Sequence, residues 1–156
     1  MSRIRVEEEH RFGVSVAEGF DYITDPANWP AYWPGLERIE PGSHWREPGD
    51  QARLTVKLLG RHVELHMTLT KLESNRLVEY TSVQSGLPEA RHERHFSGDG
   101  QSLDYRLVVE YEPREGLRRL YDRVLVRRGI QRALRRTVRN LEGLLGSSVI
   151  GSSQPP

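Results

Sequence analysis

The sequence contains no cysteine among its 156 residues. Disulfide bonds, thiol nucleophiles and thiolate metal sites are therefore excluded. It also lacks any apolar run approaching the roughly 20 residues that a membrane-spanning helix requires. The first ten residues are mostly charged or polar, without the apolar stretch of a secretory signal peptide. We therefore predict a soluble, cytoplasmic protein without a membrane span.

Glycine-rich phosphate-binding motifs are absent, since neither G-x-G-x-x-G nor a P-loop pattern occurs. Histidines are few, and His62 and His66 are four residues apart on a predicted strand. At that spacing their side chains lie far apart along one face, and no second His or carboxylate pair completes a metal site. We predict that the protein binds no metal and no cofactor.

Charge is balanced overall, at a net +1, but it is unevenly distributed. Residues 114–139 carry ten arginines against Glu115 and Asp122, a local charge of +8 that leaves −7 for the rest. Such a segment is usually the solvated face of an amphipathic helix, although it also suits an acidic partner or a membrane surface. Because Tyr121 is the single aromatic residue among these arginines, the segment lacks aromatic interleaving, and we predict that the protein does not bind nucleic acid.

The N-terminal third has the signature of one strand followed by two short helices. Residues 3–12 alternate between apolar and polar, which is typical of a strand with one buried face. Ser15 and Glu18 form a capping box, which predicts the start of a helix that ends near Asp25. Pro26 can open a second short helix, because a proline in the first turn loses no intrahelical hydrogen bond.

Residues 36–112 read as strands separated by turns. Alternating runs such as 63–69 and 103–111 are interrupted by glycine, proline and asparagine clusters. The connections are too short for parallel crossovers, which need about a dozen residues. We therefore predict an antiparallel meander of six strands.

Residues 114–145 are predicted to be helical, with two apolar stripes that do not align. The second stripe is rotated by roughly a third of a turn if 100° per residue is carried through. The offset falls at Arg127-Arg128-Gly129, so we expect a kink or short break there. The first stripe contains Leu117, Leu120, Tyr121 and Val124, and the second contains Ile130, Leu134, Val138, Leu141 and Leu145.

This order of elements resembles the polyketide cyclase/dehydrase and lipid-transport superfamily, also called START-like or Bet v 1-like. The residues that carry the likeness are the segment 20–35, with Asp25-Pro26, Trp29-Pro30 and Trp33-Pro34 after an aromatic-bearing first helix. The resemblance implies an α+β helix-grip fold, in which a seven-stranded curved antiparallel sheet wraps on the long C-terminal helix. It implies a single ligand-binding domain over residues 1–145, and we expect residues 146–156 to form a mobile tail.

The resemblance also implies a cavity between the sheet, the long helix and the two short helices. Our first hypothesis is binding, including transport, of a small hydrophobic molecule such as a lipid or polyketide. A polyketide cyclase/aromatase or dehydratase acting in the same cavity is the alternative. The third hypothesis is a protein-interaction module that uses the Arg-rich C-terminal helix. A homodimer stays open as the state of assembly.

Four titratable residues are predicted to face inward from two strands. Alternation places Glu8 and His10 on the side of the buried face of the first strand, and His92 and Arg94 on the side of Phe96. Buried polar groups need partners, so these residues either satisfy one another or orient a ligand. A register slip of one residue would turn the second pair outward and bring in Arg91, Glu93 and His95 instead.

No catalytic residue is assigned from the sequence. The resemblance to aromatase/cyclases implies a role for His92 as general base and for Arg94 in stabilising an enolate. Large residues are expected near the cavity, with Trp33 at its mouth and tyrosine hydroxyls for a ligand's polar end. The predicted ligand-binding set is Glu8, His10, Trp33, Met67, Tyr80, His92, Arg94, Tyr105 and Tyr121.

Overall fold

The computed structural model describes residues 3–58 and 60–146. Within this part, seven strands form one antiparallel sheet in the order β1-β7-β6-β5-β4-β3-β2. The predicted α+β helix-grip fold is confirmed. The strands are β1 (Ile4–Phe12), β2 (Leu36–Ile39), β3 (Gln51–Leu58), β4 (Arg61–Glu73), β5 (Leu77–Gln84), β6 (Ala90–Gly98) and β7 (Leu103–Tyr111).

Tight turns explain why β2 to β7 follow one another across the sheet. Gly60, between β3 and β4, has φ 78°, and Gly86, between β5 and β6, has φ 83°. Asn75 takes φ 61° between β4 and β5, a conformation that asparagine tolerates better than most residues. The chain therefore reverses direction at each turn, as the predicted meander requires, and β1 joins the far edge by pairing with β7.

Two short helices and a turn follow β1: α1 (Val16–Thr24), a 3₁₀ turn (Pro26–Asn28) and α2 (Trp29–Tyr32). The capping box is confirmed on one side, because Ser15 Oγ accepts a hydrogen bond from the Glu18 amide at 3.1 Å. The Ile23 carbonyl accepts bonds from Trp29 Nε1 at 3.1 Å and from the Tyr32 hydroxyl at 2.7 Å. These two bonds fix α2 against the end of α1.

The C-terminal helix consists of α3 (Arg118–Tyr121), a π-helical segment (Asp122–Val126) and α4 (Arg127–Leu145). Residues 114–117 precede the helix, although the sequence predicted them within it. The predicted break at Arg127-Arg128-Gly129 is wrong, because α4 is regular there. The irregularity is the π-helical segment just before it, whose turn holds one extra residue and so rotates the apolar stripe that follows. Beyond Gly146, the tail predicted to be mobile lies outside the described residues.

The position of α4 on the sheet leaves much of the concave face uncovered. Its buried residues are Leu134, Val138 and Leu141, and the helix packs mainly on β1. Six strand spacings of about 4.8 Å span roughly 29 Å, whereas a helix with its side chains is about 10–12 Å across. One helix therefore cannot cover the whole concave face, even when the sheet bends around it.

A buried ion pair holds the start of the C-terminal helix to the sheet. Asp122 is fully buried, and its carboxylate accepts bonds from the Arg114 amide at 2.7 Å and from Arg114 Nη2 at 2.7 Å. Arg114 Nη1 also donates to the Gly86 carbonyl at 2.9 Å. The hydrogen bonds from Arg114 lower the pKa of Asp122 below its ordinary value. The pair thus ties the helix to β7 and to the β5–β6 turn.

We predict that Asp122→Asn lowers the free energy of unfolding by about 2 kcal/mol at pH 7, less than a fully buried pair would lose, because Arg114 is partly exposed. The stabilisation from the ion pair is present above pH 3.8 and is lost as the pH falls through the lower pKa of the folded state. Urea unfolding of the variant and of the wild type should therefore differ at pH 7 and converge in acid. Asp21→Asn, at an exposed position of α1, is the control, and an equal loss in both variants would contradict the prediction.

Candidate functional site

A cavity of about 580 Å³ lies between the concave face of the sheet, α2 and the C-terminal helix. This volume falls within the range of about 300–1,000 Å³ that is typical of small-molecule sites. The lining is mainly aromatic and aliphatic, so the cavity favours an apolar guest. Representative lining residues are Trp29, Tyr32, Trp45, Met67, Phe96 and Val109.

One polar cluster interrupts the apolar lining, and it lies on the neighbouring strands β5 and β6. The rings of Tyr80 and His92 are opposite each other across the strands and are stacked, with centroids 4.4 Å apart and planes 4° from parallel. Ser82 Oγ lies 2.7 Å from His92 Nε2. Arg94 Nη2 donates to the Tyr80 hydroxyl at 2.7 Å, and its guanidinium carbon lies 5.7 Å from the Tyr80 ring centroid.

The register of β6 turns His92 and Arg94 toward the cavity, on the same face as the buried Phe96. The one-residue slip is not realised. Glu93 and His95 lie on the opposite face, where Glu93 Oε1 and His95 Nε2 are 2.8 Å apart. The cluster is therefore built from the inward residues of two adjacent strands.

Burial sets the protonation states of the polar cluster. Burial, with a smaller contribution from the Arg94 charge, lowers the pKa of His92 from 6.5 to about 3. Burial also raises the pKa of Tyr105 to about 12. For Arg94, burial alone would lower the pKa, but the interactions with Tyr80 and Tyr105 outweigh it and leave the pKa above its usual value. At neutral pH the cluster thus holds the neutral imidazole of His92, the neutral phenol of Tyr105 and the Arg94 cation.

The cation has no acidic counterpart. Among the described residues that line the cavity there is no aspartate or glutamate, and no carboxylate lies within ion-pair distance of Arg94. In addition, Arg94 Nη1 and His92 Nδ1 are buried without a hydrogen-bond partner. A buried polar atom without a partner is costly, and such atoms are rare in native proteins. These two atoms are therefore the candidates to contact a polar group of a ligand.

The cavity brings together most of the apolar and aromatic residues predicted from the sequence. Met67 and Tyr105 are buried in its wall, and Trp33 lines it beside α2. Tyr121 also contributes to the lining, but it is 44% exposed and so belongs to the rim.

Glu8 and His10 do not line the cavity, which corrects their expected place in it. Both face inward from β1, as the alternation predicts, but α4 covers that part of the sheet. Glu8 Oε2 lies 3.8 Å from Arg135 Nε, and His10 Nε2 lies 3.2 Å from Glu142 Oε2. Alternation determines the face of a strand, but it does not determine which part of that face the helix covers.

Sequence reasoning missed Trp45, which is buried and lies in the cavity wall. Its ring centroid is 5.5 Å from that of Trp29 and 5.3 Å from that of Tyr80. The residue lies between β2 and β3 in a stretch rich in glycine, proline and charge, where no periodicity indicates burial. The one available signal was the tryptophan itself, since an isolated tryptophan among turn residues is often buried.

We place the mouth of the cavity between the β5–β6 turn and the start of the C-terminal helix, because the lining residues on that side are exposed or partly exposed. Leu87 and Pro88 line it on one side, and Leu125 and Gly129 line it on the other. A Cβ atom added at Gly129 would meet no atom within 4 Å. The helix therefore leaves space at the point where it borders the opening.

A second depression of about 960 Å³ lies at the other end of β1, β7 and β6. It is open, and several of its charged side chains form exposed ion pairs. Arg11 Nε, for example, lies 2.7 Å from Asp104 Oδ1. It offers no apolar enclosure among the described residues, so we do not regard it as a ligand site.

Two negative findings complete the description of the site. Among the described residues, no group of three histidine, aspartate or glutamate side chains is placed to hold a metal ion. In the same part of the chain, no helix combines the length and the apolar character that crossing a membrane requires.

A family model described as polyketide cyclase/dehydrase and lipid transport matches residues 3–146. No curated protein sequence matches the chain significantly. Among solved structures, a protein of Thermus thermophilus aligns at 16% identity over 97% of this chain and 100% of its own, with a TM-score of 0.73. The Zhui aromatase/cyclase of a Streptomyces species aligns at 13% identity over 92% and 96%, with a TM-score of 0.69. A START superfamily protein of Mycobacterium smegmatis aligns at 14% identity over 90% and 96%, with a TM-score of 0.73.

We predict that His92 makes the folded protein sensitive to mild acid. Because folding lowers the pKa of His92 from 6.5 to about 3, its contribution to stability is present above pH 6.5 and declines as the pH falls toward 3. Between pH 7 and pH 5 this amounts to about 2 kcal/mol of unfolding free energy. Chemical unfolding of His92→Gln should show a correspondingly smaller loss over that interval. His66→Gln, at an exposed position of β4, should behave like the wild type, and an unchanged slope in His92→Gln would contradict the prediction.

Proposed function

Because the chain belongs to the polyketide cyclase/dehydrase and lipid transport family, we propose that it binds a small, largely apolar molecule whose polar end contacts Arg94. The observation that carries this proposal is a partly buried arginine at the wall of a mostly apolar cavity, with a buried Nη1 atom and no carboxylate partner among the described residues. A cation in that setting gains most from a ligand that brings an acceptor oxygen or a negative charge.

The residues around Arg94 restrict which chemical groups the polar end of the ligand can carry. One guanidinium nitrogen is engaged by Tyr80, which leaves Nη1 as a donor for the ligand. His92 offers Nδ1, and the aromatic walls suit flat or elongated carbon skeletons. A carboxylate, an enol or a conjugated carbonyl group on such a skeleton would satisfy Nη1 and Nδ1 together. Lipid acids and polyketides both meet this description.

The state of His92 supports binding over proton abstraction. A general base is most effective when its pKa lies near the operating pH, and burial lowers the pKa of His92 to about 3. The imidazole is neutral and lines the cavity, but it is a weak base. Its stacking on Tyr80 and its contact with Ser82 suit it to orient a ligand rather than to remove a proton.

A polyketide cyclase/aromatase or dehydratase is the second candidate, and Arg94 favours it. A guanidinium beside a tyrosine hydroxyl can stabilise the enolate that forms when a poly-β-carbonyl chain cyclises. The structural likeness to an aromatase/cyclase is compatible with such a reaction. Incubation with a poly-β-ketone, with products analysed by mass spectrometry, separates the candidates. A cyclase loses turnover in folded His92→Ala and Arg94→Ala, whereas a carrier yields no more cyclised product than the spontaneous reaction without protein.

We predict that Gly129→Trp blocks the mouth and weakens binding of the uncharged probe phenylnaphthylamine by roughly tenfold or more. A Cβ atom at this position meets no atom within 4 Å, so the fold should be retained. Fluorescence titration measures the affinity, and circular dichroism measures the fold. Gly143→Trp is the matched control, because Gly143 is also an open helical position on α4 but does not line the cavity. Equal affinity in both variants would contradict binding in this cavity.

We predict that Arg94→Met discriminates between two probes that share a ring system. Affinity for anilinonaphthalene sulfonate should fall roughly tenfold to hundredfold, as expected for losing a charged hydrogen bond of about 1.5–3 kcal/mol. Affinity for phenylnaphthylamine, which lacks the sulfonate, should change little. Arg91→Met, on the opposite face of the same strand, controls for general loss of positive charge. A parallel loss for both probes would show that Arg94 supports the cavity wall rather than the ligand's polar end.

A further inference from the structure

The start of the C-terminal helix exposes an unusual amount of apolar surface. Leu117 is 98% exposed, Leu120 is 71% exposed and Leu125 is 57% exposed. Tyr121 and Val124 extend the same surface and are also exposed. Leu117 directly precedes the helix, and the spacing of the other side chains places them on one side of the helix. We call the segment 117–128 the rim face.

Arginines surround the apolar side chains of the rim face. Arg118, Arg119, Arg127 and Arg128 are all exposed. The single acidic residue of the segment, Asp122, is buried and paired with Arg114, so it presents no negative charge at the surface. The rim face therefore combines exposed leucines with a purely cationic border, the pattern of a helix that lies in a membrane interface.

The rim face adjoins the mouth of the cavity. Tyr121, Leu125 and Gly129 line the cavity from the same helix that exposes the leucines. A surface that covered the rim face would therefore also cover the opening. An apolar guest could then pass between the surface and the cavity without crossing water.

We propose that the rim face docks on an anionic lipid bilayer, with its leucines inserted at the acyl boundary and its arginines at the headgroups. Charge complementarity carries the choice of partner, since each basic residue near an anionic membrane adds attraction. A second copy of this chain fits less well, because a symmetric contact would oppose two sets of arginines. An acidic protein would match the charge, but it would have to provide an apolar patch for leucines that project almost fully into solvent.

Vesicle sedimentation of the full chain tests the proposal. We expect the protein to sediment with vesicles that contain phosphatidylglycerol, to sediment much less with vesicles of phosphatidylcholine alone, and to be released by salt. Failure to sediment with phosphatidylglycerol vesicles would overturn the proposal. Binding to soluble polyglutamate without vesicle binding would also overturn it and would indicate an acidic protein as the partner.

Two pairs of variants separate the apolar and the charged contributions. The first double variant, Leu117→Ser with Leu120→Ser, should weaken vesicle binding roughly tenfold or more. The second double variant, Arg118→Gln with Arg119→Gln, should weaken it by a similar factor. Val83→Ser, at an exposed apolar position on β5, is the control for the first pair. Arg61→Gln with Arg139→Gln removes two exposed charges elsewhere and is the control for the second.

The outcome is independent of the proposed ligand. Binding of phenylnaphthylamine should be unchanged in the rim-face variants, so loss of docking and loss of the cavity function can be told apart. Vesicle binding that is equal in the rim-face variants and their controls would overturn the proposal. So would a concentration-dependent dimer in velocity sedimentation that the rim-face substitutions abolish, since it would assign the rim face to a second copy.

Discussion

A single helix cannot cover the concave face of a seven-stranded sheet, and the rest of the structure follows from this constraint. α4 packs mainly on β1, and the Asn140 amide donates to the Tyr32 carbonyl at 2.9 Å, which links α4 to α2. The strands farther from β1 therefore face a cavity of about 580 Å³ instead of a packed helix. The ion pair between Arg114 and Asp122 holds the start of the helix at the edge of this cavity. The position of the cavity mouth thus follows from the attachment of the C-terminal helix through this ion pair.

The second constraint is electrostatic and concerns one partly buried cation, Arg94, whose Nη1 atom is buried. Arg94 lies among phenols and a neutral imidazole, and among the described residues its surroundings supply a hydrogen bond but no negative charge. Burying such a charge is tolerated only when it is well hydrogen-bonded or paired. A ligand with an acceptor atom beside Nη1 would supply the hydrogen bond that this nitrogen lacks. The proposed selectivity for an apolar molecule with a polar end would therefore come from the same residues that build the wall.

Most of the fold could be predicted from the sequence because its signals are local. Period-two alternation identified β1 and the strands of the meander, and the capping box at Ser15 identified α1. The π-helical segment Asp122–Val126 could not be located in this way. The rotation of the apolar stripe is visible in the sequence, but an extra residue in any of the neighbouring turns would produce the same rotation. Only packing, here the burial of Asp122 against Arg114, selects the turn.

The candidate site could be predicted only in part, for a related reason. Alternation correctly predicted that His92 and Arg94 face inward, and it predicted the same for Glu8 and His10. α4 covers the part of the face that carries Glu8 and His10 but not the part that carries His92 and Arg94. Which part is covered depends on contacts between segments that are distant in the sequence. Trp45 illustrates the converse case. It completes the aromatic wall from a loop in which no periodic pattern indicates burial.

The central claim is that an apolar molecule lies inside the sheet with its polar end at Arg94. A crystal structure with a long-chain fatty acid brominated at its tail tests this most directly. The account predicts carboxylate density beside Arg94 Nη1 and an anomalous bromine peak toward Gly129 at the mouth. A cavity filled by side chains, with bromine bound only at the protein surface, would contradict it.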